Sequence, residues 1–236
     1  MRRFATGGLL ALLSLVVASR AAYGVPMLML SANGSSATVA DGGAVVCVGI
    51  CSGTTDVNGV TGAITYIGTI GPNWVVNVTT GITKPVLGSA TDPHMDLNSV
   101  DVSSAGSTLT IKFTDDGFGP LPAGTFFRDQ IGGTTAGTLK ATELYDPDNG
   151  AFSGGLIASL GPFGPGAFSG TTDSPVVAGV APFSLTQVVV ITHTGAGATS
   201  FDYEKTAMTP EPSALLLLGS GLAGFSYLRL RRRSGK

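Results

Sequence analysis

The chain has 236 residues, of which only 12% are charged, and its formal net charge is −2. Its 43% apolar residues supply a folded core, which excludes an intrinsically disordered chain, and its 35 glycines with few charges favour an extracellular β-protein. The charge is unevenly distributed, because two basic ends flank an acidic middle. This pattern is typical of a chain directed to a membrane, and we expect no nucleic-acid partner.

Residues 1–24 predict a signal peptide. Arg2 and Arg3 precede an apolar stretch at 7–18, which is too short to cross a bilayer comfortably as a helix. Small residues then lead up to Gly24 and offer a cleavage site. We therefore expect an N-terminal signal helix that is removed on export.

Residues 25–208 predict one exported all-β domain. Between 109 and 114 the side chains alternate, with Leu109, Ile111 and Phe113 on one face and polar residues on the other, as in a half-buried strand. Similar stretches bounded by Gly, Pro, Asn and Asp predict strands at 44–48, 63–70, 74–78, 95–103, 126–131, 138–145, 185–194 and 201–206. The fold class that follows is an antiparallel β-sandwich, of which a jelly roll is one form.

Cys47 and Cys51 are the only cysteines, and outside the cytosol such a pair most often forms a disulfide. Residues four apart in a continuous strand lie about 13 Å apart, too far for a disulfide bond. The disulfide therefore predicts a turn at 48–50, with Gly49 as its pivot.

The two imidazoles, His94 and His193, are the main candidates for chemistry. His94 lies between Asp92 and Asp96, so a metal site that uses both histidines and one of these aspartates is conceivable. A hydrolase site assembled in space is a further alternative, although the sequence has no Gly-x-Ser-x-Gly motif. Isolated histidines are more often packing or surface residues, and we predict no catalytic residue.

Asp146 and Asp148 supply oxygen ligands at a spacing that suits Ca²⁺, but without the glutamate of an EF-hand. Aspartates are also ordinary turn formers, so these two residues are weak calcium candidates. We predict no other cofactor.

Residues 149–174 mix Gly and Pro with Phe152, Phe163 and Phe168. Such a segment forms either a long mobile loop or a β-arch between sheets. Because a solvated linker does not normally carry three phenylalanines, we expect part of it to pack on the sandwich as a covering flap. A partner-binding surface is the alternative.

The last 28 residues combine three features. Pro210, Glu211 and Pro212 stop any strand, and an apolar stretch predicts a transmembrane helix over 214–230. A basic cluster follows, which the positive-inside rule places in the cytoplasm: Arg229, Arg231, Arg232 and Arg233.

This combination resembles the PEP-CTERM protein-sorting signal, although Thr209 stands where many members of that family have valine. The resemblance implies export by a Gram-negative-type bacterium, transient membrane anchoring through the C-terminal helix, and cleavage near the motif by an exosortase. It also implies association with the cell envelope, exopolysaccharide or other matrix proteins.

We therefore expect an exported, non-enzymatic protein of the cell envelope or biofilm matrix with a structural or adhesive role. A carbohydrate-binding module and a secreted hydrolase are the alternatives.

Overall fold

The computed structural model describes residues 24–209, and within this range every regular element is a β-strand. The fourteen strands are β1 (Met27–Ala32), β2 (Ser35–Ala40), β3 (Val46–Val48), β4 (Ala63–Ile70), β5 (Trp74–Ile82), β6 (Gly88–Ser89), β7 (Asp92–Ser103), β8 (Ser107–Phe118), β9 (Phe126–Thr135), β10 (Thr138–Asp146), β11 (Gly155–Phe163), β12 (Gly166–Asp173), β13 (Phe183–His193) and β14 (Gly197–Met208).

The strands form two antiparallel sheets. The first sheet has the order β11-β10-β13-β8-β1-β2-β3, and the second has the order β12-β9-β14-β7-β5-β4, with β6 beside β7. Side chains from the two inner faces form one buried core. The prediction of an all-β antiparallel sandwich is confirmed.

Alternation along the strands explains which side chains form the core. Leu109, Ile111 and Phe113 of β8 are completely buried, as their period-two pattern predicted. The central strand β13 is buried along most of its length, which accounts for its nearly continuous run of β-branched residues.

The N-terminal hairpin β1–β2 was not predicted. Asn33 and Gly34 connect its strands with φ angles of 50° and 75°, so both residues lie in the left-handed region that a type I′ hairpin turn requires. The Asn-Gly pair is the strongest short hairpin signal in this part of the sequence, and β1 then pairs with β8 inside the first sheet.

Residues 149–174 form the β-arch alternative. Their two strands lie in different sheets, β11 beside β10 and β12 beside β9. The rings of Phe163 and Phe168 stack with their centroids 4.8 Å apart, and both pack against the core. The alternative of a mobile loop is wrong, because this segment supplies an edge strand to each of the two sheets. The stacked pair of Phe163 and Phe168 connects the two edge strands.

The predicted signal helix and the predicted transmembrane helix at 214–230 lie outside the described residues. Between residues 24 and 209 no helix is long and apolar enough to cross a membrane.

Candidate functional site: an acidic face on the second sheet

Strands β7 and β14 lie side by side in the second sheet and place acidic side chains on its outer face. Their register sets Glu204 opposite Asp96 and Asp202 opposite Asn98. The alternate residues of β14, including Phe201 and Tyr203, point into the core. We call the surface formed by His94, Asp96, Asp202 and Glu204 the acidic face.

The acidic face holds its carboxylates close enough to perturb one another. Partial burial raises the pKa of Asp96 to about 7, and a hydrogen bond with Asp202, the charge of Asp202 and the charge of Glu204 act in the same direction. The side chain of Asn98 opposes this shift. Asp96 therefore gains or loses its proton near neutral pH, so the charge of the face changes in that range.

His94 belongs to this face. Its Nε2 lies 2.6 Å from Oε1 of Glu204, and both side chains are partly exposed. The pair gives the hydrolase hypothesis the contact between an imidazole and a carboxylate that it requires. That hypothesis stays a prediction, and among the two histidines only His94 supports it.

A groove runs beside the acidic face, where Gly132 leaves the sheet surface without a side chain. Its volume is about 490 Å³, and its polar lining includes Gln130, Ser169, Asp202 and Glu204. An added Cβ at Gly132 would meet only one atom within 4 Å, the carbonyl oxygen of Phe168 at 3.8 Å, so the floor of the groove is open. We call this surface the glycine groove.

The aromatic side chains of the described residues are buried or half-buried. Between residues 24 and 209 no aromatic side chain is among the exposed large hydrophobic residues. Trp74, which could have stacked on a sugar ring, is 1% exposed and lies in the core. Any ligand of the glycine groove would be held by hydrogen bonds and charge.

His193 has a structural environment in the core. Its Nδ1 lies 2.7 Å from Oγ of Ser103, its Nε2 lies 2.8 Å from Oγ1 of Thr199, and its ring packs on Trp74. Burial lowers the pKa of His193, which favours the neutral ring. The structure does not bring His193 together with His94. Among residues 24–209 there is no group of three or more His, Cys, Asp or Glu placed to hold a metal.

Asp146 uses its carboxylate within its own turn. Oδ1 accepts a hydrogen bond from the backbone N–H of Asp148, and Oδ2 accepts one from the hydroxyl of Ser153. These hydrogen bonds lower the pKa of Asp146, and the one from Ser153 has the largest effect. The carboxylate thus serves as a turn acceptor, which is the ordinary role of aspartate here, and the structure adds no support for calcium.

Cys47 and Cys51 are joined by a disulfide, with their Cα atoms 6.0 Å apart. Gly49 lies between them with a φ of 78°, and the turn follows the short edge strand β3. The disulfide closes a loop at the edge of the first sheet, far in sequence from the acidic face.

The acidic residues of β14 were missed by sequence reasoning, although a signal for them existed. The alternation that turned Phe201 and Tyr203 inward also turns Asp202 and Glu204 outward. The same alternation turns Lys205 inward, a position at which a charged side chain is unusual. The sorting residues Pro210, Glu211 and Pro212 and the arginine cluster lie outside the described residues.

Comparison with known proteins identifies the C-terminal segment. Residues 209–233 match the family model of the PEP-CTERM protein-sorting motif, so the resemblance seen in the sequence is confirmed. The motif marks an exported protein that is transiently anchored in a membrane and recognised for exosortase-type processing.

Comparison with known proteins finds less for the sandwich than for the C-terminal segment. No curated protein matches the chain. A solved structure of TmCBM61 in complex with β-1,4-galactotriose is similar to it at 12% sequence identity and a TM-score of 0.30, covering 58% of this chain and 89% of the other. A TM-score this low carries no functional argument.

Proposed function

We propose that this chain is a non-enzymatic structural or adhesive protein of the cell envelope or extracellular matrix of a Gram-negative-type bacterium. The observation that carries the proposal is the sorting motif at residues 209–233, which begins directly after the last strand ends at Met208. Cleavage near the motif would separate the sandwich from the C-terminal apolar stretch.

The chemistry of the sandwich supports a binding or structural role. Residues 25–209 contain fourteen acidic and five basic side chains. Two of the basic and six of the acidic side chains are buried, so the solvent-facing side chains keep an acidic excess of eight to three. An acidic surface favours contacts with cations, neutral glycans or proteins over contacts with acidic polysaccharide.

The sorting step is tested with the full chain in a host that carries an exosortase. We expect the protein to be shortened at its C-terminus and to leave the membrane fraction. The matched control replaces Pro210, Glu211 and Pro212 with alanine and keeps the apolar stretch and the arginine cluster. This variant should keep its full length and stay in the membrane. Equal processing of both proteins would contradict the proposal.

Glycan binding in the glycine groove is a second candidate function. The groove favours it because amide, hydroxyl and carboxylate groups line an open floor. A glycan array probed with the full chain, with Asp202→Asn and with the control Lys140→Met tests this candidate. We expect a neutral glycan to bind the wild type and the control, with at least tenfold weaker binding to Asp202→Asn. Uniform absence of binding would eliminate this function.

A further inference from the structure

Lys205 and Glu143 meet in the core of the sandwich, where two charged side chains are unexpected. Lys205 comes from β14 of the second sheet and Glu143 from β10 of the first, and neither side chain is exposed to solvent. The Nζ atom of Lys205 is in direct contact with Oε1 of Glu143. One contact therefore connects the two sheets through their interior.

Asp129 brings a second carboxylate to the same place. It lies on β9 directly opposite Lys205 in the β9–β14 register, a relation that sets the two Cβ atoms about 5 Å apart. The hydroxyl of Tyr203 donates a hydrogen bond to Oδ1 of Asp129 over 2.9 Å. Oδ2 of Asp129 is buried without a hydrogen-bond partner, so it is free to accept a proton.

The pocket does not provide the hydrogen bonds of a stable ion pair. Within the described residues, Lys205 makes its one side-chain hydrogen bond to Glu143, although an ammonium group has three donors. The ring of Phe127 covers Nζ, with its centroid 4.1 Å away. Oε2 of Glu143 is buried without a partner. Two charges removed from water with so few hydrogen bonds are poorly stabilised.

The uncharged forms of both groups are favoured by this environment. Burial lowers the pKa of Lys205 and raises the pKa of Glu143 well above its ordinary value, although the charge of each partner opposes the shift of the other. A neutral amine is a nucleophile, and a protonated carboxylic acid is the form whose hydroxyl can leave as water.

We propose that Lys205 and Glu143 condense into an intramolecular amide bond that ties the two sheets together. The lone pair of Nζ attacks Cδ of Glu143, and a tetrahedral intermediate forms. Oδ2 of Asp129 accepts a proton from Nζ and passes it to the departing hydroxyl of Glu143. The C–O bond breaks, one water leaves, and the N–C bond remains. The step is neither an oxidation nor a reduction, and it requires no co-reactant.

The bond would join β10 to β14 and close a covalent loop from residue 143 to residue 205. Strand β14 is also the strand that leads into the sorting motif. A pull on the C-terminal end of the domain would therefore reach the first sheet through a covalent bond and not through side-chain packing alone. This property suits a protein that works outside the cell, but the inference rests on the pocket and not on the proposed function.

The proposal is tested on the folded full chain, which is denatured, reduced at its disulfide and digested with trypsin. Lys140 and Lys205 bound one tryptic peptide, residues 141–205, which contains both reacting groups. We expect cleavage after Lys205 to be lost in most molecules and the resulting 141–229 peptide to be lighter by one water. Fragment ions should place the branch between Glu143 and Lys205.

Two variants and an internal control complete the experiment. Lys205→Met should give the 141–229 peptide without the loss of water. Asp129→Asn, of nearly equal size, should restore cleavage after Lys205, because no group remains to accept the proton. Cleavage after Lys112 and after Lys140, which take no part in the pair, should be normal in every sample. The proposal is overturned if the wild-type 141–205 peptide has its unmodified mass, or if the branch lies at Asp129.

Discussion

The sandwich buries two lysines, each beside an acid and a phenylalanine, but the two pockets differ in their hydrogen bonds. Lys84 lies 2.6 Å from Oδ2 of Asp115, also donates to the carbonyl of Asp116, and sits 3.8 Å from the ring centroid of Phe118. Asp115 accepts further hydrogen bonds from the hydroxyl of Thr83 and from the backbone N–H of Asp116. In the Lys205 pocket, both carboxylates keep an oxygen without a partner.

The difference shows that burial alone does not decide whether a lysine–acid pair is charged or neutral. Burial raises the pKa of Asp115, but the charge of Lys84 and the hydrogen bonds from Lys84, Thr83 and Asp116 all oppose that shift. These donors stabilise the charged carboxylate, so the Lys84 pocket favours an ion pair more than the Lys205 pocket does. Burial is the largest cause at both acids, but Glu143 has fewer donors and its pKa is raised well above the ordinary value, which favours the neutral forms and, in our proposal, the amide bond.

The largest loss of unfolding free energy is expected for a substitution in the Lys84 pocket. Lys84→Met leaves Asp115 buried without its cation, and breaking a buried pair in this way costs about 3–5 kcal/mol of unfolding free energy. Urea unfolding of the variant and of the exposed-site control Lys140→Met measures this cost. The control should stay within about 0.5 kcal/mol of the wild type. A similarly small change for Lys84→Met would show that the pair is not held as ions.

Asp101 is a buried acid whose hydrogen-bond partner is a hydroxyl and not a lysine. Ser99 donates to its Oδ2 over 2.8 Å, and its Oδ1 has no partner. Burial raises the pKa of Asp101 to about 7, with the Ser99 hydrogen bond opposing. The folded state therefore holds a proton that the unfolded state releases near pH 4, and this contribution to stability is lost as the pH rises toward 7.

Asp101→Asn should mimic the neutral acid at every pH. We expect the variant and the wild type to have similar unfolding free energies near pH 4, and the variant to be more stable at pH 8 by on the order of 2–4 kcal/mol. Unfolding curves at both pH values measure the difference, and Ser104→Ala provides an exposed control. A constant difference between the two pH values would contradict the assignment of the shift to Asp101.

The smallest effect on stability is expected on the acidic face, where water screens the charges. Asp202→Asn removes a carboxylate that raises the pKa of Asp96, so that pKa should fall below about 7. NMR titration of the Asp96 side chain measures the change, with Asp173→Asn at an exposed ion pair as control. The unfolding free energy should change by no more than about 0.5 kcal/mol. An unchanged Asp96 titration would show that Asp202 is not its main neighbour.

Local pattern was sufficient to predict the fold class, because most strands keep one apolar face. It failed where pairing depends on distant partners: β12 is a glycine-rich edge strand with little apolar alternation, and it forms because β9 offers an open edge. The contact between Lys205 and Glu143 could not be predicted from local pattern either. Alternation along β14 places Lys205 inside, but no local signal shows that Glu143 faces it from the other sheet.

The acidic face could be predicted only in part. The outward positions of Asp202 and Glu204 follow from alternation in β14, whereas their proximity to Asp96 depends on the register of β7 against β14. The sorting motif is different, because it is read as a linear sequence and needs no tertiary structure to be recognised.

Mass spectrometry of the mature protein from its native host tests the central claim, that this chain is an exported sandwich processed at its sorting motif. We expect an N-terminus near Gly24 and a C-terminus near Pro210, Glu211 and Pro212. The mass should be that of the residues between these ends, less two hydrogens for the disulfide and one water for the amide bond. A mature protein that retains Arg229 and the following arginines would contradict the account.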